Sequence, residues 1–327
     1  MDYITQNITQ NITVERQTVT DDYALYLGDS CEIAKGFPSH SIDFMIFSPP
    51  FSSLYIYSES TRDMGNSKDD EEFREHFRFL IPELFRTLRA GRLCAVHCKD
   101  LVDYKGRDGQ AGLRDFPGMI IQDMEEFGFK YHSKITIWTD PVFEMQRTKS
   151  QGLLYKQLRK DSAFSRVGLP DYLVVFRKAP DGEHDKPITH YQDYKDLVKH
   201  AGVDASGNPQ VSFSDEQKII PLRTWQEIAS PVWMTVNRMD VLNKTPAKGD
   251  RDEKHICPLQ LDVISRSLTL WTNPRDVVYD PFVGIFSTGY QAILDNRLVI
   301  GSELKPRYFE VSEMNAQKAI NSRLTLF

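Results

Sequence analysis

The sequence predicts an α/β fold built on a mainly parallel sheet, and three observations predict it. Short apolar runs alternate along the chain with stretches of helical periodicity, the rhythm of strands joined by crossover helices. One run, Ile42-Asp43-Phe44-Met45-Ile46-Phe47, is stopped by Ser48-Pro49-Pro50-Phe51. Another, Val277-Val278-Tyr279, lies far downstream and opens into Asp280-Pro281-Phe282-Val283-Gly284-Ile285-Phe286-Ser287-Thr288-Gly289. At 327 residues, 40% hydrophobic and 26% charged, the chain is long enough for one large domain with an elaboration or for two smaller ones.

The elements follow in order. Residues 1 to about 20 are polar, with Gln-Asn-Ile-Thr repeated at 6–9 and 10–13, and read as a flexible or edge-pairing arm. Ala24-Leu25-Tyr26-Leu27 is strand-like, Gly28-Asp29-Ser30 a turn, and Cys31 to Phe37 a short helix before the strand at 42–47. Residues 52–66 have no period and suit a loop beside a ligand site. From Lys68 to Leu88, Phe73, Phe77, Leu80, Ile81, Leu84, Phe85 and Leu88 recur at helical spacing, and Ala90-Gly91 marks the stop before a strand at 92–98. A helix is predicted from Phe116 to Phe127, with strands at 131–138 and 172–177. Residues 180–250 break the rhythm with repeated Pro and Gly, and Trp225 and Trp233 within them read as packing residues. The pattern resumes with a helix from Pro258 to Trp271, the strand at 277–279, a helix from Ser287 to Leu294 and the strand Leu298-Val299-Ile300. The resulting division is an arm at 1–22, halves of one domain at 23–178 and 255–327, and an insertion at 179–254.

Composition narrows the function classes. The absence of an apolar run near 18 residues or of an N-terminal signal pattern supports neither a membrane span nor secretion, and the expected location is cytoplasmic. Cys31, Cys94, Cys98 and Cys257 lack zinc-site spacing, so reduced thiols and no metal are expected, even with His97 beside two of them in an apparent strand. The net charge of −6 argues against nonspecific coating of DNA. Yet between Gln146 and Arg166 the cations Arg147, Lys149, Lys156, Arg159, Lys160 and Arg166 face one acid, Asp161. That stretch is either a solvated helix face or a phosphate contact.

Two prolines after a strand fix φ and remove two donors, so the strand stops and its carbonyl oxygens face outward. With a hydroxyl on one side and an aromatic ring on the other, Ser48 to Phe51 reads either as an ordinary turn or as a clamp for a flat group bearing an NH2.

Together the two loops resemble motifs of the amino-methylating DNA methyltransferases of the β group, in which the catalytic motif precedes the cofactor motif. The resemblance covers roughly residues 23–178 and 255–312. It implies a Rossmann-like methyltransferase fold with a mainly parallel seven-stranded sheet, a circularly permuted motif order and an inserted recognition region. It also implies S-adenosyl-L-methionine as methyl donor and duplex DNA as substrate. Asp280, Pro281, Phe282 and Gly284 match the family's Asp-Pro-Phe-x-Gly-x-Gly loop, with Ser287 just beyond it; Phe286 replaces the second glycine, where a bulky side chain crowds the pocket or lines it. Glu303 matches the acid that binds the ribose hydroxyls, and Asp29 a position near the adenine. His255, Pro258 and Gln260, beside Cys257, occupy the segment that packs on the donor's methionine end; His255 reads as a polar residue at the start of a helix rather than a general base.

In this family Ser48, Pro49, Pro50 and Phe51 would be catalytic. Ser48 and the Pro49 carbonyl accept from the amino group and localise its lone pair, and Phe51 stacks on a base flipped out of the helix. Relatives with Ser at the first clamp position mostly modify cytosine N4, and those with Asp or Asn mostly adenine N6. A noncatalytic DNA-binding relative and an enzyme acting on RNA or a small molecule are the competing classes. The resemblance leaves open a homodimer, and either a cognate restriction enzyme or none.

Overall fold

In the computed structural model of this protein, the described residues are 14–51, 63–148, 152, 155–163, 165–188, 202–203, 209–210, 219–247 and 258–325. In chain order the main elements are β1 (Arg16–Val19), β2 (Tyr23–Leu27), α1 (Ser30–Lys35), β3 (Ile42–Phe47), α2 (Asp70–Thr87), β4 (Leu88–Cys98), α3 (Phe116–Glu126), β5 (Lys130–Ile137), α4 (Pro141–Thr148) and α5 (Tyr155–Leu158). They continue with β6 (Asp171–Arg177), α6 (Ile219–Ile228), β7 (Val232–Trp233), α7 (Leu261–Trp271), β8 (Val277–Asp280), α8 (Ser287–Leu294), β9 (Leu298–Glu303) and α9 (Pro306–Thr325).

These nine strands form one sheet in the order β1-β2-β9-β8-β3-β4-β6-β5-β7, and among the described residues two small two-stranded ribbons lie outside it. Its middle seven strands are the expected set. β2, β9, β8, β3 and β4 run parallel, and β6 lies antiparallel between β4 and β5. The sheet is wider than expected because β1 adds antiparallel to β2, and the two-residue β7 adds to β5. Thus the described part of the N-terminal arm pairs at a sheet edge; its repeat at 6–13 lies outside the described residues.

Strands buried on both faces read as continuous apolar runs, and all six residues of β3 are buried. Asp43 is the exception in chemistry. Its carboxylate accepts from Arg89 at 3.0 Å, from Lys186 at 3.2 Å and from the Val277 amide at 2.9 Å, which ties the start of β3 to β8. One core, with Phe73, Phe77, Leu80 and Phe116, packs α1, α2 and α3 on one face of the sheet; a second, with Ile264, Leu268, Ile293 and Phe309, packs α7, α8 and α9 on the other.

The predicted stop of the second helix at Ala90-Gly91 is corrected. α2 ends at Thr87 and β4 begins at Leu88, so the glycine lies within the strand. Gly91 takes φ +74 where the pairing of β3 with β4 slips register between Ile42 and Phe44, a bulge conformation that costs glycine little. Lys178 makes the abrupt change workable. Its ammonium donates to the carbonyls of Phe85 and Leu88, both at 2.7 Å, satisfying groups that the helix end leaves without partners.

β8 and β3 are adjacent and in register at Val278/Phe44 and Tyr279/Met45. Here the chain order of the parallel strands reverses, and a crevice opens beyond the carboxyl ends of strands at such a switch point. Both loops singled out in the sequence begin there.

Candidate functional site

The crevice is a single cleft, and Ser48, Pro49, Pro50 and Phe51 share its wall with Asp280, Pro281, Phe282, Gly284 and Ser287. Neighbouring strands about 4.8 Å apart deliver the two loops side by side. Asp29, Glu303, Pro258 and Gln260 also line it. His255, Cys257 and residues 52–62 lie outside the described residues.

The bend after β8 is held from several directions. Asp280 accepts from the Phe282 amide at 2.9 Å, and the Ser30 hydroxyl donates to the Pro281 carbonyl. α9 reaches across from the far end of the chain: Ser312 donates to the Gly284 carbonyl and Asn315 to that of Ile285, each at 2.7 Å. Glu303, at the end of β9, accepts from the Gly284 amide at 2.9 Å and the Lys305 amide at 2.8 Å. Asp29 caps α1, accepting from the Cys31 amide at 2.8 Å.

Phe286 is corrected as a pocket residue. It adopts a left-handed backbone, φ +80, at the start of α8, and its ring is fully buried in the core on the α7–α9 face rather than in the cleft wall. The ring meets Tyr23 edge-on at 5.7 Å and occupies the space beside Gly289, where a Cβ would come within 2.2 Å of it. The backbone shape that glycine would supply is therefore kept, at a cost of roughly 1–3 kcal/mol for a non-glycine residue. Burying a phenylalanine offsets that cost. Phe286→Gly is expected to destabilise the fold by about 2–3 kcal/mol, since losing a core Phe costs about 3–5 kcal/mol and only part returns as relieved strain. Denaturant unfolding measures this; a stabilised variant would contradict the placement of the ring.

The cleft is lined by carboxyl groups on the side of the bend at 280–284. Burial pushes the Glu303 carboxyl up to about 8 and that of Asp280 up to about 7, against the pull of their amide donors. Asp63, buried beside them and accepting from the Gly65 amide at 2.8 Å, was not read from the sequence.

On the clamp side, sequence reasoning also missed His97, Lys99 and Asp171, all of which line the cleft. The Ser48 hydroxyl lies 3.2 Å from His97 Nδ1 and 3.3 Å from the His97 carbonyl. His97 Nε2 lies 3.9 Å from the Asp171 carboxylate, which Lys99 and Arg238 approach at 4.0 and 3.6 Å. Phe51 packs edge-on to Phe116 at 5.9 Å and is tilted to the His97 ring at 6.4 Å. Cys94 and Cys98 belong to the core under α2 and α3, whereas His97, of opposite strand parity, does not join them.

Of the basic segment, Lys156, Arg159 and Lys160 are exposed, and Arg166 pairs with Glu144 at 3.2 Å. Lys149 and the Arg147 side chain lie outside the described residues. Trp233 is a packing residue as read: it is buried and donates to the Ile228 carbonyl at 2.9 Å. Among the described residues one group has metal-ligand chemistry, His40, Asp181 and His184; His40 precedes β3 at the end of that strand opposite Ser48, and none of the three lines the cleft. Its two imidazoles stack at 4.1 Å with planes 12° apart, so their in-plane lone pairs run side by side rather than converge on one ion. No helix among the described residues is long and apolar enough to cross a membrane.

Comparison with known proteins agrees with this geometry. The chain is 22% identical over 303 residues to the Type II beta methyltransferase M.BslI of Bacillus sp. (strain NEB-606), a match spanning 89% of the chain and 27% of that relative. The fold superposes on TTHA0409 of Thermus thermophilus in complex with S-adenosyl-L-methionine, with TM-score 0.61, 19% identity and coverage of 90% and 93%. It superposes on the cytosine-N4-specific PvuII DNA methyltransferase with TM-score 0.55, 16% identity and 95% of each chain covered. The DNA methylase family model matches residues 42–314, spanning both loops and the sheet between them, and the chain belongs to that N6/N4 DNA methylase family.

Proposed function

We propose that this protein is an S-adenosyl-L-methionine-dependent DNA methyltransferase that modifies an exocyclic amino group, cytosine N4 in preference to adenine N6, on a base flipped out of duplex DNA. The observation that carries the reading is the shared cleft: a proline-stiffened hydroxyl and aromatic ring stand beside a bend lined by buried carboxylates.

The residues present suit the donor. When bound, S-adenosyl-L-methionine supplies an electrophilic methyl group on a positively charged sulfur. Glu303 offers acceptor oxygens at the end of β9, the place where a ribose diol is bound in nucleotide folds. Asp280 and Asp63 add carboxyl groups beside it, a cationic ligand would favour the ionised form of Asp280, and Gly284 brings backbone close without a side chain.

On the other side, Ser48 and the Pro49 carbonyl would accept the two amino protons and draw the lone pair out of conjugation. The prolines supply the stiffness that such positioning needs. Phe51 gives the base a face to stack on, offsetting part of the few kcal/mol spent in unpairing it. No covalent intermediate is involved, and no Pro-Cys nucleophile is present near the clamp. Ser48 in place of an acid or amide favours cytosine. Lys156, Arg159 and Lys160, in the segment that follows β5, are candidates for phosphate contacts, and residues 179–254 for sequence recognition.

Incubation with duplex DNA and isotopically labelled donor, followed by nucleoside mass spectrometry, tests the reading. Label in N4-methylcytosine is expected. Label in N6-methyladenine would reverse the choice of base, and label in transfer RNA with none in duplex DNA would contradict the function.

A further inference from the structure

We infer that His97 is the positioning residue for the Ser48 hydroxyl and the final acceptor of the proton that the amino group sheds, an inference that rests on the methyltransferase reading above. Three observations carry it. His97 is buried, so its imidazole is shielded from bulk water. Its Nδ1 lies 3.2 Å from Ser48 Oγ. Its Nε2 is buried without a hydrogen-bond partner among the described residues and lies 3.9 Å from the Asp171 carboxylate.

The tautomer follows from that arrangement. A proton on Nε2 faces a carboxylate, whereas a bare lone pair there would face the same negative charge. The proton therefore sits on Nε2 and leaves Nδ1 as an acceptor. The Ser48 hydroxyl has one hydrogen. Donating it to Nδ1 turns the oxygen's lone pairs toward the cleft, where an amino group is to be accepted; donating it to the His97 carbonyl would leave the imidazole idle.

The proton balance is simple. The amino nitrogen forms a bond to the methyl carbon as the carbon–sulfur bond breaks, and that bond's electron pair goes to sulfur, which becomes neutral. The nitrogen then carries the positive charge and loses a proton to Ser48 Oγ while Ser48 passes its own to His97 Nδ1. The product is an imidazolium beside Asp171. Among the described residues the other charged groups facing that pair are Lys99, just after β4, and Arg238, and the Ser48 hydroxyl and Phe51 ring also lie against His97. Burial and the two cations hold the imidazole below its ordinary pKa and Asp171 opposes them, which keeps the resting histidine neutral and able to take a proton.

Two measurements test this. In nitrogen-resolved NMR of the donor-bound protein, His97 is expected as the Nε2–H tautomer, with an Nδ1 resonance that moves in Ser48→Ala. A proton found on Nδ1 would overturn the inference without touching the methyltransferase reading. In single-turnover methylation at saturating donor, His97→Asn places an amide oxygen near the former Nδ1 but takes up no proton. It is expected to bind donor and DNA normally, to run about a hundredfold slower near neutral pH, and to lose the acid limb that wild type shows as His97 titrates. His97→Ala is expected to lose Ser48 positioning as well and to be slower still. A His97→Asn protein with wild-type rate and pH profile would overturn the inference alone. A wild-type protein that binds donor and methylates no DNA would overturn the function and the relay together.

Discussion

Ser48→Ala is expected to slow methyl transfer by about 10²–10³-fold at saturating donor while changing donor affinity by less than about twofold. The magnitude is that of deleting one preorganised hydrogen-bonding group from a catalytic site. The split follows from the geometry. Ser48 sits at the end of β3 with its hydroxyl on His97, and its side chain makes none of the hydrogen bonds that hold the bend at 280–284. Calorimetry of donor binding paired with single-turnover kinetics separates the two effects. Parallel loss of both would mean that Ser48 supports the donor pocket rather than the reacting amino group.

Glu303→Gln is expected to weaken donor binding by about a hundredfold at pH 8.5 with little change in the transfer rate once donor saturates. A hydrogen bond to a charged acceptor contributes about 1.5–3 kcal/mol, and each 1.4 kcal/mol is tenfold. The amide retains one oxygen for the Gly284 or Lys305 backbone, so the bend should survive. The pH dependence has a definite sign. Burial holds the proton on Glu303 up to about 8 and on Asp280 up to about 7, whereas a cationic, diol-bearing ligand favours both ionised forms. Binding therefore expels protons at low pH, and affinity rises from pH 6 to 8 and levels above, by tenfold or more over that interval. Glu303→Gln should remove the upper part of that rise. Affinity that falls with pH, or stays flat, would contradict the assigned role of both carboxylates.

Much of this site was legible because its two loops carry local chemistry. Consecutive prolines end a strand wherever it lies, and Asp280 to Gly284 announces a bend by composition. Both placements needed only the apolar period of β3 and β8 to fix them at strand ends. Glu303 came instead through the family resemblance, as the acid at the end of the strand that follows. What stayed hidden depends on partners distant in sequence. His97 looked like one more buried strand residue, since only the antiparallel register of β4 with β6, pairing His97 with Leu173, brings it toward Asp171. The direction of Phe286 was unreadable from its own position, because the space that takes its ring is defined by Gly289 and Tyr23. α9 was missed for a related reason: Ser312 and Asn315 interrupt the apolar period on its buried face in order to bond the carbonyls of the bend. A polar residue serving a site thus erased the pattern that would have revealed the helix carrying it.

The most direct measurement is a crystal structure of the protein with a non-transferable donor analogue and a duplex containing its target base. The analogue's ribose hydroxyls are expected on Glu303, and the flipped base on Phe51 with its amino group on Ser48 and the Pro49 carbonyl. The amino nitrogen should then lie about 3–3.5 Å from the position of the transferable methyl. A base seated away from Ser48, or an analogue bound outside the bend at 280–284, would contradict that arrangement.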